Sequence, residues 1–134
     1  MLCCAIIFLL FFKVILVTGQ SMSPTLRDRQ IILVNVQRDS YEINDLIVFD
    51  SGERGDCVKR VLAKPGDTIL LSAGIIWRNG VKFSDYTCDP MLEQEYFLVE
   101  DMYFVIGDNH NASIDSRNYG PVAEDAILGK VILY

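Results

Sequence analysis

After Leu26 the chain is a series of short runs rich in β-branched and aromatic residues, each followed by polar turn residues. Such runs are typical of β-strands, and no segment beyond the N-terminus keeps a helical period. The clearest pair, Ile75–Arg78 and Val81–Phe83, flanks Asn79-Gly80, which suits a type I′ hairpin turn. The sequence therefore predicts a mostly β, antiparallel, folded or barrel-like sheet domain. Further predicted strands are Ile31–Val36, Leu46–Phe49, Val58–Leu62, Thr68–Leu71, Met102–Ile106 and Ile127–Leu133, with Ser84–Glu100 as a loop.

The N-terminus differs from the rest of the chain. Leu2–Phe12 is unbroken apolar sequence, and Val14–Val17 continues it after Lys13. A helix of this length reaches roughly 24 Å, short of the roughly 30 Å hydrocarbon core of a bilayer. We expect a short N-terminal membrane helix over residues 1–17, followed by one domain over 18–134. The alternatives are a buried core helix or a cleaved signal peptide, although a basic leading region and an A-x-A site are missing.

Length, net charge and cysteine spacing exclude several classes of function. A chain of 134 residues has room for one domain, and its net charge of −6 argues against a nucleic-acid partner. The four cysteines and one histidine contain no C-x-x-C spacing, so neither a metal site nor a cofactor is predicted. Cys57 and Cys88 could form a disulfide outside the cytosol, or remain free as small apolar side chains.

Two segments carry candidate chemistry. Ser21 stands in a turn stiffened by Pro24, directly after the apolar run, and Lys59 lies in an apolar predicted strand. Because strand side chains alternate between faces, either Lys59 or Arg60 must face inward or lie at an edge. A serine nucleophile needs a base, and a desolvated lysine can serve because burial lowers its pKa.

A third segment, Gly107–Val122, is dense in turn-forming and polar residues. Asp115 and Arg117 are two apart and can pair on one side of it. The segment also allows a rival site, a Ser–His–Asp triad of Ser21 and His110 with Asp108 or Asp115.

In order along the chain, these segments resemble the bacterial type I signal peptidases, membrane-bound Ser–Lys proteases that remove secretory signal peptides. The mitochondrial inner-membrane processing peptidases share the pattern. The resemblance extends from Val14 over nearly the whole remaining chain. It rests on four segments: Ser21-Met22-x-Pro24-Thr25-Leu26, Asp45–Phe49, Lys59-Arg60-Val61 with Pro65-Gly66-Asp67, and Gly107-Asp108-Asn109 through Ser113-x-Asp115-Ser116-Arg117.

The resemblance implies a role for each residue. Ser21 would attack the scissile carbonyl to form an acyl-enzyme, and its amide would donate to the oxyanion. Lys59 would be the neutral general base, oriented by Ser113. Gly19 occupies the position where some members carry a second oxyanion donor. Asp115 would pair with Arg117, and with Arg60 in addition, as a structural clamp, because a carboxylate bound to Lys59 would keep that base charged.

The substrate follows from the same reading. An extended peptide could add to the edge strands beside the dyad by β-augmentation. Shallow apolar pockets for small side chains are expected from Ile15, Val17, Met22 and Val58. The resemblance implies Ala-x-Ala cleavage, with preprotein signal peptides and membrane lipid as partners.

The resemblance also implies a single-pass protein of the bacterial plasma membrane with its catalytic domain outside the cytoplasm. The mitochondrial inner membrane and the thylakoid are alternatives. A non-enzymatic, membrane-anchored β module is the alternative from another functional class. A self-cleaving repressor of the LexA type would need a DNA-binding domain, which this chain lacks.

Overall fold

The structure, a computed structural model, describes residue 8 and residues 10–37 and 40–134. The elements whose bounds are described include short β-strands, a short helix, and single 3₁₀ turns at Gly52–Arg54, His110–Ala112 and Glu124–Ala126. The strands are β1 (Phe12–Leu16), β2 (Ile31–Asn35), β3 (Leu46–Asp50), β4 (Asp56–Ala63), β5 (Thr68–Ser72), β6 (Ile75–Arg78), β7 (Val81–Thr87), β8 (Glu93–Phe97), β9 (Met102–Ile106), β10 (Val122–Ala123) and β11 (Ile127–Leu133), and the helix is α1 (Ser116–Tyr119).

The strands form two antiparallel sheets. The larger has the order β1-β2-β11-β3-β4-β9-β10, and the smaller has the order β7-β6-β5-β8. Register shifts interrupt the pairing of β11 with β2 and β3, and that of β4 with β9. Such irregularities bend a sheet, and the larger sheet curls until β1 and β4 line one cleft. The predicted antiparallel, mostly β fold is confirmed.

The core follows the alternation of side chains along the strands. In β2, Ile32 and Val34 are buried whereas Ile31 is 67% exposed. The two faces of β4 contribute to different parts of the core. Val58 packs against the cluster that contains Val34, and Cys57 packs against another that contains Phe49. A third cluster lies under the smaller sheet.

Strand β4 has an unpaired segment that matters for the site. It pairs with β3 along Asp56–Arg60, but its first pair with β9 is Arg60 opposite Ile106. Residues 56–58 therefore have a free strand edge on the side that faces away from β3.

Most predicted strands are present with boundaries shifted by one or two residues. Met102–Ile106 and Ile127–Leu133 match their predicted bounds. The hairpin at Asn79-Gly80 is confirmed, and both turn residues have the positive φ that a type I′ turn requires, 51° and 77°. The strong local signals of β-branched runs and turn residues were sufficient here.

Two predictions about secondary structure were wrong. The expected helix cannot extend to Val17, because Phe12–Leu16 is strand β1 and pairs with β2. Leu10 and Phe11 are helical, and residues 1–7 and 9 lie outside the described part. No helix in the described ranges is long and apolar enough to cross a membrane.

The segment Ser84–Glu100 is not simply a loop. Strand β7 continues to Thr87, and β8 follows at Glu93–Phe97 and pairs with β5. These strands were missed because most of their side chains are polar and exposed. Tyr86, Leu92 and Tyr96 anchor the segment on the core under the smaller sheet.

Candidate active site

The turn that carries Ser21 follows β1 and is fixed at both ends. Before it, the Val17 amide donates to the Gln30 carbonyl at 2.8 Å. The Ser21 carbonyl accepts from the Asn109 amide at 2.9 Å, and Asn109 Nδ2 donates to the Gln20 carbonyl at 3.0 Å. Asn109 therefore holds the turn from both sides of the Gln20–Ser21 peptide bond.

Lys59 reaches this turn from β4. The side chain is buried, with 4% of the residue exposed, and its Nζ donates to Ser21 Oγ at 2.7 Å and to the Val58 carbonyl at 3.2 Å. Arg60 points to the opposite face of the strand. The structure thus brings Ser21 and Lys59 together and makes Lys59 the inward member of the adjacent pair.

The surroundings of Lys59 favour its neutral form. Burial lowers the pKa of Lys59 below its ordinary value. Negative charge on Cys57 and Asp115 opposes that shift without reversing it, and the positive charge of Arg54 acts in the same direction as burial. Lys59 forms no ion pair within the described ranges. A neutral amine 2.7 Å from a serine hydroxyl can accept its proton.

Asp115 lies fully buried below the dyad and is bound by Arg117. Arg117 Nε and Nη2 donate to its two carboxylate oxygens, each at 2.8 Å, and the Gly107 amide donates at 2.9 Å. Burial alone would raise the pKa of Asp115, but the hydrogen bonds from Arg117 and Gly107 outweigh it and hold the pKa below its usual value. The carboxylate is therefore charged and fully occupied.

Ser113 has a different partner from the one expected. Its hydroxyl donates to Asp115 Oδ2 at 2.8 Å, and no hydrogen bond joins it to Lys59 in the described structure. The charged carboxylate two residues away is a stronger acceptor than an amine. Ser113 thus uses its hydroxyl proton to hold Asp115. Only the lone pairs of its oxygen remain available to accept a hydrogen bond from Lys59.

Gly107 is a site residue whose role the sequence did not reveal. A Cβ placed there would lie 2.0 Å from Ser113 Oγ and 2.7 Å from the Ser21 carbonyl oxygen. Real Cβ atoms do not approach other atoms so closely. Glycine is required here for contact with both segments and not for its backbone angles.

Arg60 pairs with Asp108 and is not part of the clamp expected around Asp115. Arg60 Nε and Nη2 donate to the two Asp108 oxygens at 2.8 and 2.7 Å. The register decides this, because Arg60 lies opposite Ile106 and Asp108 is the diagonal neighbour. Thr25 also donates to Asp108, which therefore connects β4 to the nucleophile's turn.

Gly19, at the position expected for a second oxyanion donor, has its amide bound to another group in this structure. It has no side chain, and its amide already donates to Asp28 Oδ1 at 2.8 Å. The Ser21 amide, in contrast, donates to no group in the described part of the chain. One backbone donor is thus free beside the nucleophile.

The rival triad is not assembled. His110 Nδ1 is buried without a hydrogen-bond partner among the described residues, and its ring packs edge-on against Tyr86 with centroids 4.6 Å apart. Asp108 is occupied by Arg60 and Thr25.

Cys57 and Cys88 are free thiols.

The dyad opens into a cleft of about 150 Å³ between the end of β1 and the start of β4. Its walls include the residues that the sequence suggested for substrate binding, Ile15, Val17, Met22 and Val58, together with Ser21 and Lys59. Ile15 faces inward because it pairs with the buried Ile32. The cleft therefore has apolar walls and little room.

The chain is similar in sequence and in structure to known proteins. The family model described as signal peptidase, peptidase S26, matches residues 1–134. Signal peptidase I of Bacillus caldolyticus is 34% identical over 145 residues, covering 92% of this chain and 79% of the relative. Signal peptidase IB of Staphylococcus aureus is 31% identical over 139 residues, covering 86% and 73%. A crystal structure of a signal peptidase I from Enterococcus faecalis, 25% identical, matches with a TM-score of 0.56 over 72% of this chain and all of that one.

The chain belongs to the signal peptidase family, peptidase S26. The sequence-based predictions of a type I signal peptidase and of a hydrolase are confirmed.

Proposed function

We propose that this protein is a membrane-bound serine endopeptidase that removes N-terminal signal peptides from exported preproteins. It cleaves after small residues, in the Ala-x-Ala manner, through an acyl-enzyme. The observation that carries the proposal is the contact of 2.7 Å between a buried, ion-pair-free Lys59 Nζ and Ser21 Oγ, within the described structure.

The catalytic steps follow from this contact. The neutral Lys59 amine accepts the proton of Ser21 Oγ while that oxygen attacks the scissile carbonyl. The free Ser21 amide donates to the developing oxyanion. The Lys59 ammonium then protonates the leaving amine, and the neutral amine later activates the water that hydrolyses the ester.

Substrate binding uses two free strand edges. β1 is the outermost strand of the larger sheet, and β4 is unpaired on one side along residues 56–58. An extended peptide between them gains backbone hydrogen bonds from the edges, as in β-augmentation. A cleft of about 150 Å³ that also contains the peptide backbone admits only small side chains.

The proposed activity is tested on a preprotein with an Ala-x-Ala site, in detergent, with the products identified by intact mass. Cleavage after the second alanine is expected from the wild type and is absent from Ser21→Ala. Cleavage by a folded Ser21→Ala protein would refute the proposed nucleophile. His110→Ala serves as the control and keeps its activity, because His110 does not contact the dyad.

Membrane association is supported by an exposed apolar surface on the larger sheet. Val14, Leu16, Ile31 and Leu133 are 66%, 55%, 67% and 65% exposed. Paired residues of adjacent strands share a face, and Leu16 lies opposite Ile31 while Leu33 lies opposite both Val14 and Leu133. An apolar patch of this kind suits contact with lipid beside a membrane anchor.

The bacterial plasma membrane is the proposed location, because the relatives compared are bacterial. The mitochondrial inner membrane or the thylakoid remains the alternative location for a peptidase of this family. Deletion of residues 1–11 spares β1 and is expected to release the protein from membranes.

The apolar surface is tested separately with lipid vesicles. The double variant Ile31→Glu and Leu133→Glu is expected to bind vesicles more weakly and to process a vesicle-inserted preprotein more slowly. Its activity on a soluble peptide stays unchanged. The control Val81→Glu, on the smaller sheet, behaves as the wild type. Equal vesicle binding by both variants would exclude this surface from membrane contact.

A further inference from the structure

The direction of the Ser21 amide is set by the peptide bond to which it belongs. The Gln20–Ser21 bond is trans. Because a trans peptide unit is planar, its N–H and its C=O point in opposite directions. A contact that fixes the Gln20 carbonyl therefore also fixes the direction of the Ser21 N–H, the free donor beside the nucleophile.

The Gln20 carbonyl accepts hydrogen bonds from two segments. The Ser23 amide donates to it at 3.1 Å within the turn, and Asn109 Nδ2 donates to it at 3.0 Å from the loop after β9. The first bond moves with the turn, whereas the second ties the turn to the sheet. The Asn109 amide also donates to the Ser21 carbonyl at 2.9 Å. One residue thus anchors the peptide units on both sides of Ser21.

The loop that carries Asn109 is itself held in place by its two preceding residues. The Gly107 amide donates to a buried carboxylate at 2.9 Å. Asp108 accepts from Arg60 Nε and Nη2 at 2.8 and 2.7 Å. Arg60 follows Lys59 directly in β4. Asn109 therefore fixes the turn of the nucleophile relative to the strand that carries the base.

We propose that Asn109 is a positioning residue of the oxyanion site, whose side-chain amide aligns the Ser21 N–H with the oxygen that becomes negative during attack. This inference rests on the proposed function, in which that N–H stabilises the oxyanion. Asn109 does not line the dyad cleft, so it acts through the backbone of the turn and not on the substrate. A donor that is aligned before the reaction stabilises the transition state more than the bound substrate.

The first test measures cleavage of a soluble peptide with an Ala-x-Ala site. Asn109→Ala removes the side-chain donor and keeps the backbone hydrogen bond to Ser21. Its kcat should fall about tenfold or more while its KM stays unchanged. Asn109→Asp has nearly the same shape, but its carboxylate donates no hydrogen bond and repels the Gln20 carbonyl, so its kcat should fall at least as far. Asn111→Ala changes an exposed asparagine of the same loop and should behave as the wild type.

The second test separates alignment of the donor from a general distortion of the site. A peptide aldehyde forms a tetrahedral adduct with Ser21, which places an oxygen where the oxyanion develops, whereas the matching peptide alcohol forms no adduct. Asn109→Ala should bind the aldehyde about tenfold more weakly, in parallel with its loss of kcat, and bind the alcohol as the wild type does. Equal weakening of both ligands would overturn the inference.

The outcomes distinguish this inference from the proposed function. If the wild type cleaves no such peptide, the proposed function itself is wrong. If the wild type cleaves it and folded Asn109→Ala keeps the wild-type kcat, or loses activity only through a higher KM, the positioning role is refuted while the peptidase remains. If Asn109→Ala does not fold, Asn109→Asp decides alone, and an undiminished kcat in that variant overturns the inference.

Discussion

Two neighbouring regions of the site differ in whether their positively charged side chains are paired with carboxylates. In the loops around Asp108 and Asp115, each carboxylate is bound by both ends of an arginine fork, at 2.7 to 2.8 Å. In the dyad, Lys59 contacts a serine hydroxyl and a backbone carbonyl and forms no ion pair within the described ranges. Charge is compensated where it supports the fold, whereas Lys59, the proposed general base, has no carboxylate bound to it in the described structure.

The comparison also explains why the arginines are near the dyad at all. A buried carboxylate such as Asp115 would otherwise be available to Lys59 and would hold its proton. Arg117 occupies that carboxylate, and Arg60 occupies Asp108. In the proposed mechanism, the ion pairs thus keep these carboxylates away from Lys59 in addition to holding the loops.

Removal of either member of the dyad is expected to have the largest effect. Ser21→Ala and Lys59→Ala should each reduce kcat on a peptide about 10⁴-fold or more, because nucleophile and base act as a unit. The double variant should be no worse than either single variant. Single-turnover assays of the folded proteins provide the measurement. Additive losses in the double variant would show that the two residues act independently.

Gly107→Ala is expected to cause the second-largest loss of kcat. The added Cβ must displace Ser113 or the Ser21 carbonyl, and a misplaced nucleophile typically costs about 100-fold in rate. Gly80→Ala is the comparison variant, because a Cβ there meets no atom within 4 Å and lies in the distant hairpin. Its positive φ reduces stability but leaves kcat unchanged. A kcat near that of the wild type for Gly107→Ala would contradict the close packing described here.

The two ion pairs should differ in their contribution to stability. Asp115→Asn leaves Arg117, whose side chain is 10% exposed, without its counter-charge at a fully buried position and should lower the free energy of unfolding by about 3–5 kcal/mol. Asp108→Asn should lower the free energy of unfolding by only about 1–2 kcal/mol, because Arg60 is partly exposed and solvent screens its charge. Urea denaturation at neutral pH measures both. A larger loss for Asp108→Asn would reverse the comparison between the pairs.

The same carboxylates set the acid limit of stability. Burial raises the pKa of Asp115 and Asp108, but their hydrogen bonds with arginine lower it further, so the net shift is downward. Each pair therefore stabilises the fold fully above the ordinary carboxyl pKa, and the contribution is lost as pH falls through the lowered value. In acid titrations of unfolding, Asp115→Asn should show a weaker pH dependence than the wild type. An unchanged slope would remove Asp115 from this account.

Local signals in the sequence were sufficient for some parts of the molecule. Strands such as Met102–Ile106 and the Asn79-Gly80 hairpin are specified by their own residues. The alternation of Lys59 and Arg60 followed from strand geometry alone. Strand β1 could not be predicted in this way, because its apolar residues fit a helix equally well and its pairing with β2 decides the outcome.

The partners within the site depended on contacts between distant segments. Arg60 binds Asp108 because of the register of β4 against β9, whereas the hydroxyl of Ser113 donates to Asp115 in its own loop and not to Lys59 in β4. The role of Gly107 appears only when three segments meet. Its position beside Asp108 and Asn109, in a segment already singled out, was the one available signal.

The neutrality of Lys59 is tested most directly by adding a carboxylate beside it. Cys57 lies on the same face of β4, two residues before Lys59, and negative charge there raises the pKa of that lysine. In the wild type, kcat/KM on a soluble peptide should rise with pH through a midpoint below the ordinary lysine value of about 10.4. Cys57→Asp should move that midpoint upward relative to Cys57→Asn, whose side chain has nearly the same shape as aspartate and carries no charge. A midpoint that is the same in all three proteins would contradict the assignment of Lys59 as the base.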